Sequence, residues 1–285
     1  MRQLDPEERQ INFDPAHADE IAAILAEATL AGGPAVMNVY EQGGEVWRKG
    51  DGSPVTVADQ RAEAVICAEL ARCLPPVPII AEESMSSGRE ADVADRFLLV
   101  DPLDGTKEFL ARNGEFTINV ALIDRGSPIA GAVYAPALGR LWFGGERAFV
   151  CDPGLGGGLP DRSAWRPIRV REPPREMVAL VSRSHDDAQT EAFLARLPIA
   201  ARQSKGSSLK FCCIAEGLAD LYPRFGPTME WDTAAGHAVL TAAGGVVHDA
   251  SARPLKYGKR SDRYRNGAFI AWGSSEAERR FSRPR

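Results

Sequence analysis

In the segment FLLVDPLDGTKEF, Phe97 to Phe109, an apolar run leads straight into Asp101. Pro102 then stops ladder pairing and Asp104-Gly105 turns the chain, so two carboxylates stand together at a strand end. Two like charges a few ångströms apart repel unless a cation neutralises them, and an all-oxygen donor set suits Mg2+ far better than Zn2+. Taken alone, the same residues also describe an ordinary Asp-Pro, Asp-Gly turn. An EF-hand is excluded, because Leu103 and Thr106 break the Asp/Asn alternation and no Glu follows at loop position 12. More acids must come from elsewhere. Glu82-Glu83 follow the short apolar run PVPII, at the kind of strand end where open α/β sheets place ligands; the plain alternative is a solvated acidic loop. Asp232 opens a helix in EWDTAAGHAVLTAAGG, where an N-cap is the plain alternative, and Asp59 stands three residues after Thr56, the spacing of a capping box. The set changes the weight of its members. Strand-end acids at two places, Thr106 beside one of them, and a helix-start acid after Trp231 in the other half point to a Mg2+ oxygen site, without naming a substrate.

The elements that must position these acids are legible in part. Apolar residues at Ala62, Val65, Ile66, Cys73 and Leu74 give the rhythm of a helix entered at Thr56, and another helix is expected around Asp19 to Tyr40. Apolar runs at Val77 to Ile80, Phe97 to Val100, Thr117 to Ile123, Ile129 to Tyr134 and Leu141 to Val150 predict strands. Further on, strands at Met177 to Val181, Leu221 to Tyr222, Val246 to Val247 and Ala268 to Ala271 alternate with helices near Asp187 to Arg196, Ser208 to Glu216 and Asp232 to Ala243. Gly217 and Gly244-Gly245 sit where helix C-caps are expected. The stretch DPGLGGGLP, Asp152 to Pro160, sustains neither helix nor strand, and lacks the Gly-Lys-Ser/Thr of a phosphate loop. It reads as a linker. The expectation is a layered α/β chain in two halves, residues 1–155 carrying the metal-binding loops and residues 156–285 carrying Asp232.

At 285 residues the chain is long enough to hold a core without staples, and 44% hydrophobic with 26% charged residues is an ordinary globular composition. A net charge of -5 argues against adhesion to polymeric nucleic acid or anionic lipid. The five cysteines form no C-x-x-C pair, so neither a disulfide framework nor a zinc site is indicated. The opening MRQLDPEERQ carries charges where a signal peptide needs an apolar core, and no later run is read as reaching the roughly 18 apolar residues of a membrane span, so the cytoplasm is the expected location.

Three motifs taken together, AEES at Ala81 to Ser84, DPLDGT at Asp101 to Thr106 and WDTAAGHAVLTAAGG at Trp231 to Gly245, resemble the inositol monophosphatase-like superfamily of Mg2+-dependent, often lithium-sensitive phosphatases. Within it, DGTKEF, VSRSH and GSSLKF…LYPRFGPT look like the 3′(2′),5′-bisphosphate nucleotidase branch, and the match runs from about Ser53 to Asp249. Ala81 departs from the pattern, in which Gly often precedes the two acids. The resemblance implies an αβαβα sandwich with one site between the halves. It implies one Mg2+ held by Glu82, Asp101 and the Leu103 carbonyl and a second held by Asp101, Asp104 and Asp232, with Glu83 either supporting those ligands from behind or standing near a third, weakly bound ion. Thr106 would relay a proton from the attacking water, with Asp59 accepting from its hydroxyl, while backbone N–H groups of Gly105 and Thr106 meet phosphate oxygens.

Substrate choice rests on the surrounding cations. An ammonium at Lys107, beside the metal loop, favours a second anionic group, although Lys is often merely solvated. By the resemblance, Ser207 and Lys210 contact the nucleotide, Arg224 its 5′-phosphate, and His185 the base or ribose. The implied activity is hydrolysis of adenosine 3′,5′-bisphosphate to AMP and phosphate, a step that clears a by-product of sulfotransfer in sulfate assimilation. The partner expected is thus a small phosphorylated nucleotide, acted on by a monomer or homodimer that is cytoplasmic or peripheral to the inner membrane face. An inositol or sugar phosphatase, and a nucleotide-sensing protein without turnover, remain as alternatives.

Overall fold

The computed structural model describes residues 17–43, 46–48, 54–89, 94–183 and 188–281. Helices α1 (Ala18–Gln42) and α2 (Val57–Cys73) lie side by side. Between them run the short paired strands β1 (Val46–Arg48) and β2 (Pro54–Thr56). Next come β3 (Ile79–Ala81), α3 (Glu82–Ser86), β4 (Arg96–Asp104), α4 (Thr106–Leu110), β5 (Thr117–Asp124), β6 (Ser127–Ala135), β7 (Arg140–Gly144), β8 (Ala148–Cys151) and β9 (Arg166–Ile168). The second half holds β10 (Met177–Ser182), α5 (Ala188–Leu194), β11 (Ile199–Lys205), α6 (Leu209–Ala215), β12 (Leu221–Arg224), β13 (Thr228–Met229), α7 (Glu230–Ala242), β14 (Val246–Asp249), β15 (Arg265–Asn266), β16 (Phe269–Trp272) and α8 (Ser275–Phe281).

Strands β3 to β9 form one seven-stranded sheet in chain order, parallel only at β3–β4. A five-stranded sheet runs β11-β10-β12-β16-β14. Alternation along the strands explains the layering. On β4 and β5, Leu98, Val100, Ile118, Val120 and Leu122 enter the core beneath α1 and α2, while Phe97, Leu99, Ala121 and Ile123 enter a second core with α6 and α7. A third core packs Met177, Leu221 and Trp272 against α5 and α8. Strands apolar on both faces need cover on both, and the result is an αβαβα sandwich.

Helix α7 sits between the two sheets and crosses β5, β6 and β7. It comes unusually close: a Cβ at Gly131 would stand 2.8 Å from the Ala235 carbonyl oxygen, and one at Gly144 would stand 2.8 Å from the Ala242 Cβ. Helix backbone at Gly131 and a helix methyl at Gly144 leave no room for a side chain at either strand position.

Three expectations need correction. The run Leu141 to Val150 is a hairpin, β7 and β8, turned at Gly145–Arg147, not one strand. Strand β11 was not anticipated. The first sheet takes its last strand, Arg166–Ile168, from beyond the Asp152–Pro160 stretch. Finally, α1 is long and apolar enough to cross a membrane by composition, with mean hydropathy 1.3 over its best window. Its 61% burial in that window, with Ile21, Leu25 and Val36 in the first core, makes it a core helix.

Candidate metal and phosphate site

Parallel pairing of β3 with β4 matches Ala81 to Val100, so the residues that follow each, Glu82 and Asp101, emerge level at the same sheet end. Glu82 begins α3 and Asp101 lies one step before Pro102, where β4 buckles: Asp101 pairs with Asn119, and the next paired residue, Asp104, faces Thr117. Three steps on β4 oppose two on β5, which is a bulge, and it re-aims the acids out of the sheet plane. Gly105, in the left-handed region at φ 89°, then turns the chain into α4. From the other half, Asp232 occupies the first turn of α7, its Oδ2 accepting from the Met229 N–H at 2.9 Å.

Glu82, Asp101 and Asp232 converge so that one carboxylate oxygen of each lies within 4.8 Å of the others. Asp101 is 1% exposed. Its Oδ1 accepts from the Leu103 N–H at 3.0 Å, whereas its buried Oδ2 has no hydrogen-bond partner. Burial and the carboxylates of Glu82, Asp104 and Asp232 hold the Asp101 pKa well above the usual carboxylate range in the metal-free protein. Burial, with Asp104 and Glu82, does the same to Asp232. Hard oxygen donors, mutual repulsion and an orphaned carboxylate oxygen fit a hard divalent cation such as Mg2+.

Asp104 adjoins this cluster and is clamped by the second half. Its Oδ2 accepts from Ser207 Oγ and the Ser208 N–H, both at 2.8 Å, and from Asn119 Nδ2 at 3.4 Å. Ser208 Oγ donates in turn to the Asp232 carbonyl at 2.7 Å. Ser207 adopts a left-handed φ of 52°, and Lys210 secures that turn by donating to the carbonyls of Ser207 (2.7 Å) and Lys205 (3.1 Å).

The acids form one wall of a cavity of about 440 Å3 that Leu103, Gly105, Thr106, Lys107, Ser207 and Arg224 also line. Lys210 is set one layer back from these lining residues. It lies behind the wall, 4% exposed, its ammonium 5.0 Å from the Tyr222 ring centre, and burial pulls its pKa down to about 8. Its ammonium faces Tyr222 of β12, a residue that itself lines the cavity. Arg224 keeps its guanidinium against the loop, donating to the carbonyls of Gly226 and Pro227 at 3.2 Å each. Asp59 is buried, and its Oδ2 accepts from both the N–H (2.7 Å) and the hydroxyl (2.8 Å) of Thr56, the capping box legible in the sequence. Helix α4, which Thr106 opens, lies against β2, which ends at Thr56. His185 falls outside the described residues.

Two groups escaped sequence reasoning. One is Arg265, on the cavity wall. The other is Glu63, four residues after Asp59 and so on the same face of α2. Glu63 is 5% exposed; its Oε2 accepts from the Glu83 N–H (2.7 Å), and its Oε1 from the N–H (2.9 Å) and hydroxyl (2.6 Å) of Ser84. These bonds fix the start of α3, and hence Glu82. Glu63→Gln is expected to weaken Mg2+ binding roughly 10-fold, because one amide N–H must face a backbone donor. Calorimetric titration with Mg2+ checks this; unchanged affinity alongside a lower Tm would leave Glu63 a purely structural role.

The inositol monophosphatase family model matches residues 17–278. The 3′(2′),5′-bisphosphate nucleotidase CysQ of Escherichia coli K12 is 47% identical over 228 residues, covering 79% of this chain and 89% of the relative. That of Buchnera aphidicola is 37% identical over 242 residues, 82% of this chain and 86% of its own. Among solved structures, CysQ from Bacteroides thetaiotaomicron superposes with a TM-score of 0.74 at 36% identity, covering 89% of this chain and 97% of its own. The acids that gather at the ends of β3 and β4 and on α7 therefore belong to a known lineage, and the chain is a member of the inositol monophosphatase family.

Proposed function

We propose that this chain is a Mg2+-dependent phosphomonoesterase that hydrolyses adenosine 3′,5′-bisphosphate to AMP and phosphate. The observation that carries the reading is the convergence of Glu82, Asp101 and Asp232, with the orphaned Asp101 oxygen, on a cavity that cations also line. The names of the similar nucleotidases support the substrate. Glu82, Asp101 and the Leu103 carbonyl would hold one ion, and Asp101, Asp104 and Asp232 a second, with Asp101 common to both; a third, weaker ion would sit by Glu83. Bound there, Mg2+ supplies Lewis acidity and charge that offset the phosphate's.

The chain's own groups do the rest. Gly105 and Thr106 present backbone N–H groups to phosphate oxygens, and Lys107 and Arg224 add positive charge. The Thr106 hydroxyl takes up the proton of the attacking water and hands it toward Asp59, a carboxylate that Thr56 keeps in place. Ser207 and Ser208 hold Asp104 in position through Oδ2. Water oxygen bonds to phosphorus, the P–O ester bond breaks with its electron pair going to the ribose oxygen, and that oxygen takes a proton from solvent while Asp59 returns its own to solvent. The reaction removes a by-product of sulfotransfer, a role in sulfate assimilation that a cytoplasmic enzyme would fill.

Phosphate release from adenosine 3′,5′-bisphosphate, inositol 1-phosphate and fructose 1,6-bisphosphate, each with Mg2+, tests the reading. The nucleotide is expected to show the highest kcat/KM by at least roughly tenfold, the scale of one charge-assisted contact. Fastest turnover of inositol 1-phosphate would overturn it, and binding of the nucleotide without phosphate release would make the protein a sensor.

A further inference from the structure

The segment before β15 is strained. Arg263 and Tyr264 are consecutive bulky residues in the left-handed region, at φ 51° and 60°. Each such residue costs about 1–3 kcal/mol and persists only where its surroundings over-determine it. Here they do. The Tyr264 N–H donates to the Lys259 carbonyl (2.9 Å), and the Tyr264 carbonyl accepts from the Glu230 N–H (2.8 Å). Glu230, fully buried, pairs with Lys259 at 3.1 Å; Lys259 also donates to Asn266 Oδ1 at 2.9 Å, and Asn266 Nδ2 donates to Thr233 Oγ1 at 2.8 Å.

What this turn delivers to the cavity wall is Arg265. It lies directly across the β13–β15 ribbon from Met229, whose N–H holds the metal-site acid Asp232. Arg224 reaches the same ribbon from the other side, through the carbonyl of Pro227, just before β13. The two arginines differ in their engagement. Arg224 is tied to loop carbonyls, whereas Arg265 is exposed and has no ion pair among the described residues. A guanidinium fixed at its backbone, unpaired, and set at the rim of an acid-lined cavity is suited to fork onto a phosphate that the metals do not hold.

We infer that Arg265 is a specificity-determining residue: it grips the second, non-scissile phosphate and makes the site prefer bisphosphorylated over monophosphorylated substrates. The inference rests on the nucleotidase reading above. It is tested with Arg265→Ala and Arg265→Lys on adenosine 3′,5′-bisphosphate and on 3′-AMP, which lacks the second phosphate. Arg265→Ala is expected to raise KM for the bisphosphate about 10- to 30-fold, with kcat changed less than about threefold. The kcat/KM preference for the bisphosphate over 3′-AMP falls by at least about tenfold, and Arg265→Lys restores part of it, as loss and partial return of a charge-assisted contact require. A preference that survives in Arg265→Ala, or equal losses on both substrates, overturns this inference alone. A wild-type enzyme that favours 3′-AMP overturns the nucleotidase reading together with it.

Discussion

Asp101→Asn is expected to lower phosphate release by roughly 10³-fold while raising the Tm of the metal-free protein by a few degrees. The two effects have one origin. Asp101 is the most enclosed of the converging acids, and its Oδ2 has no hydrogen-bond donor to receive. Without a cation, its charge is opposed first by burial and then by Glu82, Asp104 and Asp232. An amide keeps the shape and the Oδ1 bond from the Leu103 N–H but removes the charge. The empty site relaxes, and it can no longer concentrate positive charge on a phosphate. Phosphate assays and scanning calorimetry in EDTA check the pair of effects. Turnover near the wild-type rate, or a lower metal-free Tm, rejects the role assigned to Asp101.

The second large effect is a pH-dependent response to Mg2+. Asp101 and Asp232 both have folded-state pKa values raised above those of an unfolded chain. Their protonation therefore stabilises the metal-free fold fully below the unfolded value, about 4 for Asp, and that contribution is lost as pH rises through the raised folded values. Mg2+ replaces those protons. The Tm gained on adding Mg2+ is thus expected to be smallest at the acid end of the folded protein's range and to grow as pH rises through the raised values. Above those values, at about 100-fold over Kd, binding adds about 2.7 kcal/mol. Calorimetry across this range, with Mg2+ and with EDTA, reads it directly. A Mg2+ gain that stays flat with pH would falsify the link between metal binding and these two carboxylates.

Much of this arrangement is legible in the sequence, and the exceptions have physical reasons. The acids declare themselves because each follows or opens an element with strong periodicity: PVPII before Glu82, FLLV before Asp101, and the α7 pattern around Asp232. Strand β11 does not, since it is the edge of its sheet and Ala200 to Ser204 are all exposed, leaving no apolar alternation to read. The β7–β8 hairpin reads as one run because Leu141–Gly144 and β8 are apolar throughout and only three residues separate the strands. Lys210 carries a charge that suggests a ligand, yet it serves the backbone carbonyls of the Ser207 turn. Arg265 lies in a two-residue strand after a left-handed pair of bulky residues, a conformation that no propensity favours. Glu63 was in view as a helix residue, but its partners lie 20 and 21 positions away.

The seam of α7 against Gly131 and Gly144 ties the spacing of the acids to residues without side chains. Asp232 rides on the helix and Asp101 on the sheet, so a wedge driven between these layers would part the two carboxylates. A methyl group at Gly131 would meet the Ala235 backbone, and one at Gly144 the Ala242 methyl, each at 2.8 Å. Two bare positions on β6 and β7 thereby guard a distance measured between other elements.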